Sequence, residues 1–265
     1  MSVVLMAADL DRTLIYSHGA LALDDERPEL VCVEEHEGTQ ASFMTATAAK
    51  TLADLPANAV LMPVTTRIPD QYRRVRLPGP TAQYASVANG GVLLVDGHRD
   101  RDWSRQVAAR LADSVPLTEV WEHIARVCRP EWTVKIRNGA GLFCYAVVHR
   151  SKVPVNFLPE VTAWADERGW GTSMQGRKLY WVPYTLTKSS AVAEVARRVG
   201  AELVLAAGDS LLDIDLLEHA DRGIRPAHGE LFDTGWSAPN VVQTSRSGVM
   251  AGEEITDWFC SNAAS

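Results

Sequence analysis

Three short apolar runs, far apart in the chain, each stop at a cluster of polar residues. Val3-Val4-Leu5-Met6-Ala7-Ala8 stops at Asp9, Ala59-Val60-Leu61-Met62-Pro63-Val64 at Thr65-Thr66-Arg67, and Leu203-Val204-Leu205-Ala206-Ala207 at Gly208-Asp209-Ser210. Runs this short, apolar without alternation and partly β-branched, read as strands buried on both faces, as in a parallel sheet. Helical patterns lie between them. Thr45 to Leu55 is rich in Ala and Leu, with Thr45 as N-cap, and closes before Pro56. Ser189 to Val199 carries Arg197-Arg198 in its last turn and Gly200 as C-cap, and leads directly to the third run. The expectation is an α/β fold, a Rossmann-like three-layer core with a parallel sheet. Ligands bind such sheets at the carboxyl ends of the strands, which is where all three polar clusters fall.

The middle of the chain follows another rhythm. Ser104 to Leu111 and Leu117 to Val127 are amphipathic helix patterns. Trp132 to Arg137 and Leu142 to His149 then alternate on either side of Asn138-Gly139-Ala140-Gly141, a hairpin signal. A helix (Glu160 to Arg168) and two short strands (Gly171 to Met174, Leu179 to Val182) follow, so helix–strand–strand occurs twice. This predicts a catalytic core over 1–97 and 183–265, with an inserted α+β cap domain over 98–182. Residues 22–38 are acidic and are expected to form an exposed excursion.

Composition narrows the function classes. A formal net charge of −7 gives the chain no broad attraction for nucleic acid or an anionic membrane. No stretch reaches the roughly 20 apolar residues that span a bilayer, and the opening MSVVLMAADLD meets an acid before a leader could form. The four cysteines, at 32, 128, 144 and 260, are scattered and read as buried thiols in a reducing compartment. The seven histidines show no metal-ligand spacing. A cytoplasmic protein without nucleic-acid or membrane partners is expected.

The chemistry is carried by carboxylates. In Asp9-Leu10-Asp11-Arg12-Thr13 two acids leave a buried strand one residue apart, so both can face one pocket while Leu10 faces away. Like charges that close need a cation between them or a shared proton. Both conditions suit phosphoryl transfer: one Asp attacks phosphorus and the other protonates the leaving oxygen. Gly208-Asp209-Ser210-Leu211-Leu212-Asp213 adds a third carboxylate at another strand end and a fourth, Asp213, one helical turn on. Hard oxygen ligands around one cation form a magnesium pattern. Thr65 and Thr66, at the end of the second run, can hold phosphate oxygens. Lys188, at the start of a helix, offers a compact positive charge to the phosphate and the nucleophile.

In that order and spacing the residues resemble the motifs of the haloacid dehalogenase superfamily, in the branch with a large cap. DLDRT resembles its first motif, VTTR its second, Lys188 within LTKSS its third and GDSLLD its fourth. Ala88-Asn89-Gly90-Gly91 resembles the turn that precedes the cap. The resemblance runs almost the full chain. It implies a magnesium-dependent phosphatase working through an aspartyl-phosphate intermediate, with Asp9 as nucleophile and Asp11 as general acid/base. Thr65 and Lys188 would bind the transferring phosphoryl group. Asp9, Asp11 (through its carbonyl oxygen), Asp209 and Asp213 would hold or adjoin the magnesium. Cap size and motif layout point to a small phosphorylated metabolite, a sugar or sugar acid. A phosphomutase of the same superfamily is the alternative, followed by a non-catalytic phosphometabolite-binding protein. Arg12 and Thr66 each stand where relatives commonly carry Gly, and Leu212 stands where many carry Asn. Most of the Trp residues at 103, 121, 132, 164, 170 and 181 are expected to pack the inserted domain. Lys135, Arg137, Arg177 and Lys178 are its candidate substrate contacts.

Overall fold

The computed structural model describes residues 2–23 and 27–263. The chain starts on β1 (Val3–Ala8), then forms a hairpin of β2 (Leu30–His36) and β3 (Thr39–Thr45) that runs into α1 (Ala46–Ala53). Thr45 caps that helix, its Oγ1 accepting from Ala48 N–H at 3.0 Å. β4 (Ala59–Pro63) and α2 (Pro69–Tyr72) follow, then a three-stranded antiparallel sheet of β5 (Tyr84–Val87), β6 (Val92–Val95) and β7 (His98–Arg99). Contacts divide the chain after Asp100. One compact unit comprises residues 1–100 and 188–265, the other residues 101–187.

The inserted unit contains α3 (Arg101–Leu111), α4 (Leu117–Val127), β8 (Thr133–Gly139), β9 (Phe143–Val148), α5 (Phe157–Asp166), β10 (Trp170–Gln175) and β11 (Lys178–Pro183). Its four strands form one antiparallel sheet in the order β10-β11-β9-β8. Ala140 and Gly141 both take positive φ (58° and 77°) in the three-residue connection from Gly139 to Phe143, where Leu142 N–H closes the turn on Gly139 O at 3.0 Å. Thr162 on α5 and Thr172 on β10 share a hydroxyl hydrogen bond of 2.5 Å, which identifies the face of the sheet that the helices cover. The fully buried Trp170 and Trp181 pack this unit.

The chain returns to the first unit on α6 (Lys188–Val199), which ends at Gly200 with φ 64°, and passes at once into β12 (Ala201–Ala207). Then come α7 (Ile214–Glu218), β13 (Arg222–Arg225), α8 (Glu230–Asp233), β14 (Val241–Gln243) and α9 (Gly248–Ala263). The main sheet is parallel throughout, in the order β14-β13-β12-β1-β4. Val4, Met6 and Ala8 join Ala48 and Leu52 of α1 and Ile255 and Phe259 of α9 in one apolar cluster. Leu5 and Ala7 alternate to the other face and are fully buried, and α6 packs against β1 and β12. Helices therefore cover both faces of a sheet buried in the middle, a three-layer α/β core. Removing a side chain such as Phe259 would cost about 3–5 kcal/mol, the usual range for a buried aromatic cut to Ala.

The expected exposed excursion over 22–38 is corrected in part: Ala22, Arg27, Glu29, Val31 and residues 35–38 are exposed, but Val33 and Glu34 are buried. Residues 24–26 lie outside the described residues, but Leu30 to His36 is a strand, and its Glu34 is only 4% exposed. Arginines from elsewhere in the chain neutralise that acid, which is what lets it sit indoors. No helix among the described residues is long and apolar enough to cross a membrane.

Candidate active site

Strand order builds the site. β4, β1 and β12 are adjacent and parallel, so the residues that follow them emerge side by side. Backbone pairing continues past the strand ends: Asp9 N–H donates to Ala207 O at 2.9 Å and Val64 N–H to Ala8 O at 2.8 Å. Asp9, Thr65 and Asp209 are thereby fixed at one edge, all buried.

Lys188 is the hub. It opens α6, whose first turn is held by Asp215 of α7 accepting from Ser189 N–H at 2.8 Å. Its Nζ donates to Asp9 Oδ1 at 2.7 Å and to Asp213 Oδ1 at 2.5 Å. Burial pulls the ammonium down, but Asp213 and Asp9 outweigh it and hold Lys188 above its ordinary value, so it stays charged. The other oxygen of Asp213 accepts from Ser210 N–H (2.9 Å), Ser210 Oγ (2.7 Å) and Asp209 N–H (3.2 Å). Asp213 thus anchors the lysine and shapes the loop that presents Asp209. Gly208 permits this, since a Cβ there would lie 2.4 Å from Asp213 Cβ.

Burial pushes Asp9 up to about 7, with Lys188 opposing and Asp213 adding to the rise. Asp209 is driven well above the ordinary carboxylate range by burial, then by Asp9 and Asp213. The two sites interact, so their protons belong to the pair. Ligand oxygens of Asp9, Asp209 and Asp213 lie within 4.8 Å of one another. Crowded, buried carboxylates in deficit of positive charge, offering only hard oxygen donors, fit a small dication such as magnesium.

Asp11 lies beyond the fully buried Leu10, and its side chain is partly exposed at 39%. Arg67 holds it in a fork, Nε donating to Oδ2 at 2.7 Å and Nη2 to Oδ1 at 2.8 Å. The same Nη2 lies 2.9 Å from Glu34 Oε2, and Glu34 also takes Arg74 Nε (3.1 Å) and Ser42 Oγ (2.7 Å). Thr65 Oγ1 accepts from Arg67 N–H at 3.1 Å, which leaves its own O–H to donate. Thr66 is buried next to it.

The loop after Asp9 is pinned from both sides. Thr13, Leu14 and Ile15 N–H converge on Leu10 O, and Arg12 N–H donates to Ile15 O at 2.8 Å. Gly248 N–H donates to His228 Nδ1 at 3.1 Å, so the ring proton lies on Nε2 and is donated to Arg12 O at 2.8 Å. Arg12 has φ 66°, and its Nε lies 3.3 Å from Asp209 Oδ2.

The structure brings together Asp9, Asp209, Asp213 and Lys188, with Thr65 at the same edge. Asp11 is turned to Arg67. The sequence reading gave Arg67, Glu34 and His228 no role. Arg67 was visible in VTTR, directly after the two threonines. Glu34 was hidden in an acidic stretch, although the preceding LVCV run signalled a strand. Lys135, Arg137, Arg177 and Lys178 belong to the inserted unit. Strand register places Lys135 and Arg137 on β8 and Lys178 on β11 on the sheet face opposite α5, with Tyr145, Tyr180, Ser173 and Gln175. Arg177 is exposed in the turn before β11, off that face.

No family model and no curated protein matches the chain by sequence. Solved structures do match by shape. Sucrose-phosphatase from Synechocystis sp. PCC6803, in complex with sucrose and phosphate, superposes with a TM-score of 0.69 at 16% identity, covering 98% of both chains. The C-terminal domain of trehalose-6-phosphate phosphatase from C. albicans gives 0.59 at 10% identity, over 98% of this chain and 93% of that one. A sugar phosphatase of haloacid dehalogenase subclass IIB gives 0.52 at 13% identity, over 96% and 98%. At such identities the likeness is one of fold. The chain has the fold of the haloacid dehalogenase phosphatases, a Rossmann-like core interrupted by an inserted α+β unit.

Proposed function

We propose that the protein is a magnesium-dependent phosphatase that hydrolyses a phosphate monoester, a phosphorylated sugar or related small metabolite, through Asp9. The observation that carries this reading is the Lys188 ammonium, buried between Asp9 and Asp213 at the edge where Thr65 and Asp209 also emerge. Lysine neutralises one oxygen of the nucleophile while the other faces phosphorus. Thr65 O–H and Thr66 hold the non-bridging phosphoryl oxygens, and Lys188 offsets their charge in the transition state. Asp11 gives a proton to the leaving oxygen and later takes one from the water that cleaves the acyl phosphate.

Magnesium, held by Asp9, Asp209 and the Asp11 carbonyl with Asp213 adjoining, would neutralise the carboxylates and polarise the phosphoryl group. Substrate choice is assigned to the inserted unit, whose sheet face combines the neighbouring, mutually tilted rings of Tyr145 and Tyr180 with Lys135, Arg137 and Lys178. Aromatic faces beside polar and cationic groups suit a sugar phosphate. The sucrose and trehalose phosphatases that share the fold support that substrate class. Released phosphate measured over a panel of phosphate monoesters, with and without magnesium, tests the reading. Turnover of sugar phosphates that needs magnesium supports it, and no release from any ester contradicts it.

A further inference from the structure

Arg12 stands in the first motif between the carboxylate loop and open water. Its backbone is locked: N–H donates to Ile15 O, the carbonyl accepts from His228 Nε2, and φ is 66°. A non-glycine residue in that conformation carries a strain of about 1–2 kcal/mol, so the sequence keeps a costly side chain there. The side chain reaches Asp209, with Nε 3.3 Å from Oδ2. The pair is asymmetric: the Arg12 side chain is 35% exposed and that of Asp209 only 7%. The arginine can turn out to water; the aspartate cannot. Three buried carboxylates, Asp9, Asp209 and Asp213, face two cations, and Lys188 is already committed to Asp9 and Asp213. The counter-charge on Asp209 is therefore Arg12.

We propose that Arg12 is a built-in counter-cation that competes with the divalent metal for Asp209. In the metal-free protein the guanidinium neutralises Asp209. A dication seated between Asp9 and Asp209 repels it, and the side chain moves out toward solvent on its fixed backbone. Arg12 accordingly weakens metal binding and stabilises the apo-protein, making occupancy sensitive to the free magnesium concentration. This rests on the reading of Asp209 as a metal ligand, but not on which ester is hydrolysed.

The test is calorimetric titration of magnesium into metal-free wild-type protein, Arg12→Gln and Arg12→Lys, together with apo melting curves. Gln keeps a polar nitrogen at the ε position and the left-handed backbone cost while removing the charge, and Lys keeps the charge. The expected result is magnesium binding about tenfold tighter in Arg12→Gln, the scale of one partly screened charge contact. Arg12→Lys should stay near wild type, and apo Arg12→Gln should melt lower than wild type. Equal or weaker magnesium binding in Arg12→Gln overturns the proposal, as does an unchanged apo melting temperature. If wild type and both variants bind no magnesium, the metal reading itself falls and the competition with it. If all bind equally, the competition alone is wrong.

Discussion

Arg67 grips both carboxylate oxygens of Asp11, Nε to Oδ2 at 2.7 Å and Nη2 to Oδ1 at 2.8 Å, while Glu34 Oε2 lies 2.9 Å from the same Nη2. A planar fork fixes the orientation of a carboxylate, which a single ammonium cannot do. If Asp11 is the acid and base of the reaction, Arg67 is its positioning residue. Arg67→Lys should lower kcat by about ten- to a hundredfold, the scale of a misaligned reacting group, with little change in magnesium affinity. Steady-state kinetics beside metal titration check this. An unchanged kcat contradicts it.

Glu34 gives a stability prediction with a definite sign. Burial pushes its carboxyl up, but the hydrogen bonds from Arg67, Ser42 and Arg74 outweigh this and hold it below its ordinary value of 4.5. A depressed acid stabilises the fold fully above its unfolded value, and that contribution is lost as pH falls through the folded value. The wild type should therefore exceed Glu34→Gln in stability at neutral pH. The gap should begin to narrow near pH 4.5, where an unfolded glutamate takes up its proton, and close as pH falls through the lower folded value. Denaturant melts of both proteins from pH 3 to 7 measure it, and a gap that does not change with pH refutes the assignment.

Gly229 lies against the proposed metal ligand. With φ at 89° and ψ at −179° it occupies a region essentially reserved for glycine, and an added Cβ would lie 2.6 Å from both Asp209 O and Asp209 Oδ2. Gly229→Ala should cost about 1–3 kcal/mol in stability from strain alone. It should also weaken magnesium binding by displacing the carboxylate. Melting curves and calorimetry separate the two effects. Wild-type metal affinity in a destabilised variant would place Asp209 outside the metal site.

Alanine variants of Lys135, Arg137, Arg177 and Lys178 probe the inserted unit. At least one should lower kcat/KM for the sugar phosphate by an amount equivalent to about 1–3 kcal/mol, the scale of a charge-assisted contact. The position of Arg177 in the turn makes it the least affected of the four. Turnover of p-nitrophenyl phosphate, whose leaving group is small and activated, should change little. If both substrates fall together, these residues do not read the leaving group.

The sheet was legible because strands buried on both faces leave unbroken apolar runs, and the motifs sat at their ends. The Thr45 cap and the start of α6 at Lys188 followed from local rules that need no tertiary contact. The strand containing Glu34 was misread because its acid is compensated by Arg67 and Arg74, 33 and 40 residues away, and composition counts the charge but not its partner. The fork on Asp11 depends on two side chains 56 residues apart. The neutral tautomer of His228 depends on contacts with Arg12 and Gly248. Periodicity says nothing about either. The α9 helix escaped notice because its sequence, GVMAGEEITDWFCSNA, mixes glycines into an otherwise apolar face.

The most direct measurement compares phosphate release by wild type and Asp9→Asn, in saturating magnesium, on the best sugar phosphate, with circular dichroism to confirm that both are folded. Asp9→Asn preserves the shape and removes the nucleophile. The expected result is a loss of at least about a thousandfold in kcat, with substrate binding retained. Near-wild-type turnover by a folded Asp9→Asn protein would contradict the account.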